Sequence, residues 1–300
     1  MDVFFYGGLA VTGFMAGLVG ALLGLGGGVF VVPALALIFQ VPFLTAVGTS
    51  NVAVVATSTA GASSYVRSRL ANIRLGLLLL MSTTVAALIS SLGASYLPVW
   101  VLRVLFAVVL VYVAVTMLRG GRAGASSPPV PSTATLPQGG PPGGSVEAGG
   151  WRGWELHGSY YDVAGGSVEH YHPRNVRTGM LLSLLAGAIA GLLGVGGGLV
   201  QVPVMHLLMG VPLKAATGTS NFMIGLTATG AAFVRYSHGD VNPLIAAPTA
   251  LCVFAGARVG AWLVPRLPTS FLRRIFGWVT LFIAALMVLQ AVGLLPAPAK

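Results

Sequence analysis

One apolar pattern runs through this chain twice, at an offset of 170 residues that needs no gap. Ala16-Gly17 recurs as Ala186-Gly187, Leu22-Leu23-Gly24 as Leu192-Leu193-Gly194, and Gly26-Gly27-Gly28 as Gly196-Gly197-Gly198. Pro33 recurs as Pro203, Val41-Pro42 as Val211-Pro212, and Gly48-Thr49-Ser50-Asn51 as Gly218-Thr219-Ser220-Asn221. Far downstream, Leu97-Pro98 and Leu102-Arg103 still keep step with Leu267-Pro268 and Leu272-Arg273. Such persistence marks a duplicated structural unit, so the chain folds as two copies of one module.

What the copies are made of decides their solvent. Hydrophobic residues are 56% of the chain and charged residues 7%, with a mean hydropathy of +0.89. That leaves too few polar side chains to coat a water-soluble domain. A helix crosses the hydrocarbon core with about 20 apolar residues. The runs Ala46 to Val66, Leu75 to Leu97 and Val99 to Leu118 have that length, as do Ala215 to Val234, Leu244 to Val264 and Leu272 to Leu295. Val3 to Phe39 and Met180 to Met209 are longer and carry the glycine clusters, so each predicts two helical pieces. The expected fold class is all-α: a polytopic integral membrane protein of two homologous halves, each a glycine-broken helix or hairpin followed by three spans. The halves are residues 1–118 and 177–300, joined by a flexible loop over 119–176. Asp2 stands where a signal peptide needs positive charge, so no cleavage is expected. The lone Cys252 excludes an internal disulfide.

The central loop is rich in Gly, Pro, Ser and Thr up to about Gly150, which predicts disorder. Trp151 to His172 adds aromatics and three histidines, His157, His170 and His172, at no metal-ligand spacing. They fit an interfacial loop with Trp and Tyr at headgroup level.

Sixteen Lys and Arg against six Asp and Glu could mean nucleic acid in a soluble protein, but here the basic residues lie between apolar runs. In short loops a positive excess marks the cytoplasmic side. After the Thr-Ser-Asn helix the first half has Arg67, Arg69 and Arg74, whereas the second has Arg235 beside His238 and Asp240. One loop later the bias reverses, with Arg103 against Arg266, Arg273 and Arg274. Lys214, before the second Thr-Ser-Asn helix, has no charged counterpart. These contrasts, with Arg119, Arg122, Arg174 and Arg177, predict inverted repeats, a cytoplasmic central loop and both termini outside. Inverted repeats are common in secondary transporters, with the solute held where the repeats meet.

Gly24 to Gly28 and Gly194 to Gly198 each hold four glycines in five residues. At about 1 kcal/mol each against Ala, they break a helix. Irregular backbone at membrane depth must be buried in protein or line a cavity, and N–H groups freed there suit an oxyanion. Neither cluster is a P-loop or a dinucleotide fingerprint. Gly13, Gly17, Gly20, Gly187 and Gly191 instead have the spacing of close helix packing. Two duties stay open for Thr49, Ser50, Asn51, Thr219, Ser220 and Asn221: hydrogen bonds to an anion, or helix capping and bonds to neighbouring backbone.

Arg258 lies inside an apolar run, where it either serves the solute or snorkels to the interface. His206, whose counterpart is Ala36, either binds or relays a proton or is satisfied by a carbonyl. None of the six acids falls in a predicted span, which disfavours carboxylate-based cation coupling. An anion facilitator is expected. No span offers a His, Asp, Glu and Cys constellation for an enzyme.

The segment Gly17 to Gly28 through Val32-Pro33 and Gly48-Thr49-Ser50-Asn51, with its second copy from Gly187 to Asn221, resembles the sulfite exporter TauE/SafE family of bacterial membrane proteins. The resemblance covers both halves and not the central loop. It implies a multi-pass protein of the bacterial inner membrane exporting sulfite or organosulfonates such as sulfoacetate. Import of another small anion and a non-transporting assembly role are the alternatives. The candidate solute-binding residues are Gly26, Gly27, Gly28, Thr49, Ser50, Asn51, Gly196, Gly197, Gly198, Thr219, Ser220, Asn221, His206 and Arg258. The expected partners are a small anionic solute and the lipid bilayer, not nucleic acid. Further copies of the chain are compatible with the sequence. No cofactor or metal is expected.

Overall fold

The computed structural model describes residues 3–68, 70–119, 156, 158–162 and 167–291. The first half comprises α1 (Val3–Leu23), α2 (Gly28–Pro33), α3 (Phe43–Arg67), α4 (Ile73–Gly93) and α5 (Val99–Arg119). The second comprises α6 (Val176–Leu193), α7 (Gly198–Pro203), α8 (Leu213–Ser237), α9 (Pro243–Leu263) and α10 (Thr269–Ala291). The register of the sequence repeat is kept in space: α7, α8 and α9 begin and end 170 residues after α2, α3 and α4. Among the described residues, five helices are long and apolar enough to cross a membrane: Phe4–Leu23, Phe43–Val66, Ile73–Gly93, Val176–Leu193 and Pro243–Arg266.

The glycine clusters turn the chain back on itself. Gly24, Gly26 and Gly27 have φ of +72°, +77° and +74°, and Gly194, Gly196 and Gly197 repeat this at +70°, +71° and +78°. A side chain in that region costs roughly 1–2 kcal/mol per residue, so helix α1 has to end where the glycines begin. Beyond the turn, Gly27 lies against Ala16 and Gly20. Phe39 then reaches Phe5, with ring centroids 5.2 Å apart, and packs beside Gly8. The broken run is thus a hairpin whose second arm returns to the level at which α1 began. In the second half Met209 comes back in the same way: its carbonyl accepts the Arg174 N–H at 2.9 Å and its sulfur packs on Gly179. Pro33 and Pro203 end the α-helical part of each returning arm, which continues as a π-helical turn over Ala34–Ile38 and Val204–Leu208. Proline has no N–H to donate, and such turns absorb the resulting fault.

The halves clasp each other. Gly13 and Gly17 of α1 meet Thr249 and Val253 of α9, and Gly256 and Gly260 of α9 meet Phe14 and Leu18 of α1. Both sets rise together, so these helices are parallel. The equivalent pair, α6 on α4, is also parallel, with Gly187 on the Thr83 backbone and Gly191 on Ala87. A Cβ at Gly17, Gly187 or Gly256 would run into main chain, which is the small-residue packing the spacing predicts. Helices α3 and α8 pack on one another and run antiparallel: Gly48 meets Asp240 beyond the end of α8, and Gly218 meets Leu70 and Ala71 beyond the end of α3. Helices α5 and α10 pair with each other as well.

Between the halves, where composition suggests an interfacial loop, β1 (Gly158–Asp162) pairs antiparallel with β2 (Ser167–Tyr171). This small hairpin docks on the loop joining α3 and α4, where Asn72 Nδ2 donates to Leu156 O at 3.0 Å. Tyr171 is buried there. Burial raises its phenol above the ordinary range, opposed by a hydrogen bond with Asn72. Trp151, Trp154 and His157, and the Gly- and Pro-rich stretch before them, lie outside the described residues.

Candidate functional site

The two hairpin tips meet, and each is tied to the other half by a serine. Ser50 Oγ of α3 donates to Gly194 O at 2.7 Å, and Ser220 Oγ of α8 donates to Gly24 O at 2.8 Å. The turn carbonyls that the glycines free therefore find hydroxyl donors, as buried backbone requires. Between these bonds the tips approach closely. A Cβ on Gly28 would lie 2.6 Å from Gly194 O and 2.7 Å from Ser50 Oγ, and one on Gly198 would strike Gly24 O. Gly26 and Gly196 both face Val54 and Ile224, themselves equivalent residues, which close the centre with apolar surface. The tips, the serines and this apolar pair form an occluded junction between the halves.

All six Thr-Ser-Asn residues are fully buried. In the second copy Thr219 Oγ1 accepts the Asn72 N–H at 2.9 Å, and Asn221 Nδ2 donates to Ala21 O at 3.2 Å and Thr217 O at 3.3 Å. The first copy differs. Among the described residues, Thr49 Oγ1 and both amide atoms of Asn51 have no hydrogen-bond partner, whereas in the second copy Asn221 lacks one only at Oδ1. A buried polar atom left unpaired costs roughly 1–3 kcal/mol. Three such atoms within one turn of helix are a local store of unsatisfied bonding capacity.

Arg235 is a buried charge that sequence reasoning missed. It reads there as a loop charge, but the structure puts it in the last turn of α8 with 0% exposure. Its Nη1 pairs with Asp240 Oδ2 at 3.0 Å, its Nη2 donates to Leu192 O at 3.5 Å, and its Nε has no partner. The available signal was the repeat: position 235 is equivalent to Tyr65, whose hydroxyl donates to Ala21 O at 2.7 Å at the matching hairpin end. Asp240 lies beyond the helix, as the sequence predicts, yet it is drawn into a buried ion pair. Lys214 is likewise buried, in the first turn of α8, with Nζ 3.4 Å from Pro265 O.

Two predicted site residues lie elsewhere. Arg258 is exposed on the outer face of α9, with Nη1 3.4 Å from Ser63 Oγ. His206 lies in the π-helical turn of the second hairpin, where Nδ1 meets Val211 O at 3.0 Å. The junction therefore gathers Gly26, Gly28, Gly196, Gly198, Ser50 and Ser220. Gly27 and Gly197 pack on their own half, Thr219 faces the loop after α3, and His206 and Arg258 lie elsewhere.

A family model described as Sulfite exporter TauE/SafE matches residues 9–287. The chain belongs to this family. Over 291 residues it is 24% identical to the probable membrane transporter protein YunE of Bacillus subtilis, covering 95% of this chain and 97% of the relative. A probable membrane transporter protein of Sinorhizobium, ORF9, is 36% identical over 34% of this chain and 38% of its own length. One from Haemophilus influenzae is 30% identical over 37% of this chain and 45% of its own length. No solved structure matches. The protein is a multi-pass membrane transporter of the TauE/SafE family, a permease rather than an enzyme.

Proposed function

We propose that the protein exports small sulfur-containing anions, sulfite or organosulfonates such as sulfoacetate, across the bacterial inner membrane. The halves, 1–118 and 177–300, sit inverted in the bilayer, and the central segment, 119–176, is cytoplasmic. The antiparallel course of α3 and α8 supports the inversion, and the concentration of Arg and Lys at the helix ends next to the central segment supports the orientation. One observation carries the reading: two hairpin tips, contributed one by each half, share a sealed junction, and the helix turn that carries its Ser50 also carries buried, unpaired donors and acceptors on Thr49 and Asn51. The anion binds there against Thr49 and Asn51, with Gly26 to Gly28 and Gly196 to Gly198 allowing main chain to come close. Exchange of the cross-half bonds Ser50–Gly194 and Ser220–Gly24 opens one side or the other. The membrane potential drives exit of an anion with about 2.3 kcal/mol per charge per 100 mV.

The test is radiolabelled sulfite flux in proteoliposomes under a set potential, with Gly197→Leu and Ser50→Ala measured alongside. Wild-type flux that falls in both variants supports the junction as the path. Flux with sulfoacetate and none with sulfite changes the cargo, and silence with every anion tested contradicts the proposal. Efflux that strictly requires a pH gradient at constant potential contradicts the simple facilitator.

A further inference from the structure

The unpaired amide of Asn51 and the buried guanidinium of Arg235 serve the same end of the second hairpin. At the end of α1, Asn221 Nδ2 and Tyr65 Oη converge on a single carbonyl, Ala21 O, at 3.2 and 2.7 Å. The positions equivalent to Asn221 and Tyr65 are Asn51 and Arg235, and the hairpin end they would serve is that of α6. Arg235 reaches it, at Leu192 O. Asn51 makes no bond there among the described residues. Gly48, one turn before Asn51 on α3, abuts the Asp240 main chain, which brings this stretch of α3 against the Arg235–Asp240 segment. The charge is confined to this half, since the residues equivalent to Arg235 and Asp240 are Tyr65 and Leu70.

We infer that Arg235, with Asn51, forms an anion-binding subsite at the end of the bundle where α3 begins, and that the Asp240 carboxylate is its internal stand-in ligand. This rests on the transport of small sulfur oxyanions proposed above and assigns their ionic contact. A sulfite or sulfonate group matches the guanidinium as a carboxylate does, accepting from Nη1, where Asp240 now sits, and from the second N–H of Nη2 beside it. Its remaining oxygen takes the Asn51 Nδ2–H. When the anion arrives, Asp240 leaves the guanidinium and turns to water, for which its partial exposure of 17% leaves room. When the anion departs, Asp240 returns and spares Arg235 from standing buried and unpaired. Exchange of one anion for another keeps the guanidinium neutralised throughout, so a solute can be held tightly and still released.

The test is saturable anion-dependent stabilisation of the purified full-length protein, with sulfite, sulfoacetate, sulfate and chloride as probes. Wild type, Arg235→Gln, Asp240→Asn and Asn51→Leu are compared, and sulfite flux in proteoliposomes is read in parallel. The expected result is binding of a sulfur oxyanion by wild type that weakens at least about tenfold in Arg235→Gln. Asn51→Leu weakens it by a smaller factor, and Asp240→Asn strengthens it by removing the competitor. Should Arg235→Gln not fold, the opposite signs of the Asp240→Asn and Asn51→Leu effects decide. Unchanged or weakened binding in Asp240→Asn, or no binding by wild type with any probe, overturns the subsite and leaves the pair a structural clamp. Binding without flux contradicts the export reading and leaves the subsite standing. Flux whose half-saturation is the same in all the variants does the reverse.

Discussion

The two Thr-Ser-Asn copies have the same sequence, the same burial and the same place in their helices, yet one is largely satisfied and the other is not. Thr219 accepts from the loop after α3 and Asn221 donates to the end of α1. Thr49 and Asn51 have lost both counterpart bonds. Only the serines behave alike, each closing on the other half's glycine turn. Duplication thus supplied two equivalent frames, one with most of its polar atoms satisfied across the halves and one with three of them left unpaired. The difference extends outward: Tyr65 in one frame is Arg235 in the other, and the side that carries the satisfied copy is also the side on which the β1–β2 hairpin docks.

Changes at the tips should break the shared part of this comparison and have the largest effect. Gly28→Ala and Gly198→Ala push a methyl group into main-chain carbonyls of the opposite turn. Overpacking typically costs about 1–3 kcal/mol, and rigid backbone puts these at the upper end. Both should lower the thermal midpoint of the purified protein and abolish flux, to a similar degree. Next come the serines. Ser50→Ala and Ser220→Ala each strand a buried carbonyl and should cost about 1–3 kcal/mol by chemical denaturation. A large inequality between them would mean that the tips are not equivalent. The asparagines sharpen the contrast. Asn221→Ala should lose about 1 kcal/mol with its bonds to Ala21 and Thr217, while Asn51→Ala should leave the midpoint unchanged or raise it.

The smallest effect belongs to the docked hairpin. Because burial raises the Tyr171 phenol, its contribution to docking is fully present below the unfolded value, about pH 10, and is lost as pH rises through the higher folded value. Proteolysis of the central segment should therefore accelerate only at strongly alkaline pH, and Tyr171→Phe should remove that dependence.

The architecture was legible because its determinants are local and repeated. Glycine clusters end helices through backbone geometry alone, so the breaks at Gly24 and Gly194 follow from residue type, and the repeat then fixes the partner of every break. The family followed from the same motifs. Packing relations across the halves were not legible, because no local pattern says that Ser50 bonds Gly194 rather than its own helix. Arg235 was misplaced for a related reason: a charge after an apolar run reads as a loop, and its burial depends on a hairpin end and an aspartate that only the fold brings near. The strands at 158–162 and 167–171 are too short and too polar to rise above a loop composition. Arg258 and His206 drew notice as polar groups in apolar runs, but lie on an outer face and in a π-helical turn bonded to backbone.

The most direct test compares sulfite flux through Asn51→Ala and Asn221→Ala, reconstituted at equal folded amounts and at sulfite levels spanning half-saturation. Asn51→Ala should bind sulfite more weakly without losing stability, and Asn221→Ala should lose stability while its half-saturation stays near wild type. Equal changes in half-saturation, or a change only in Asn221→Ala, would contradict the division of labour between the two copies.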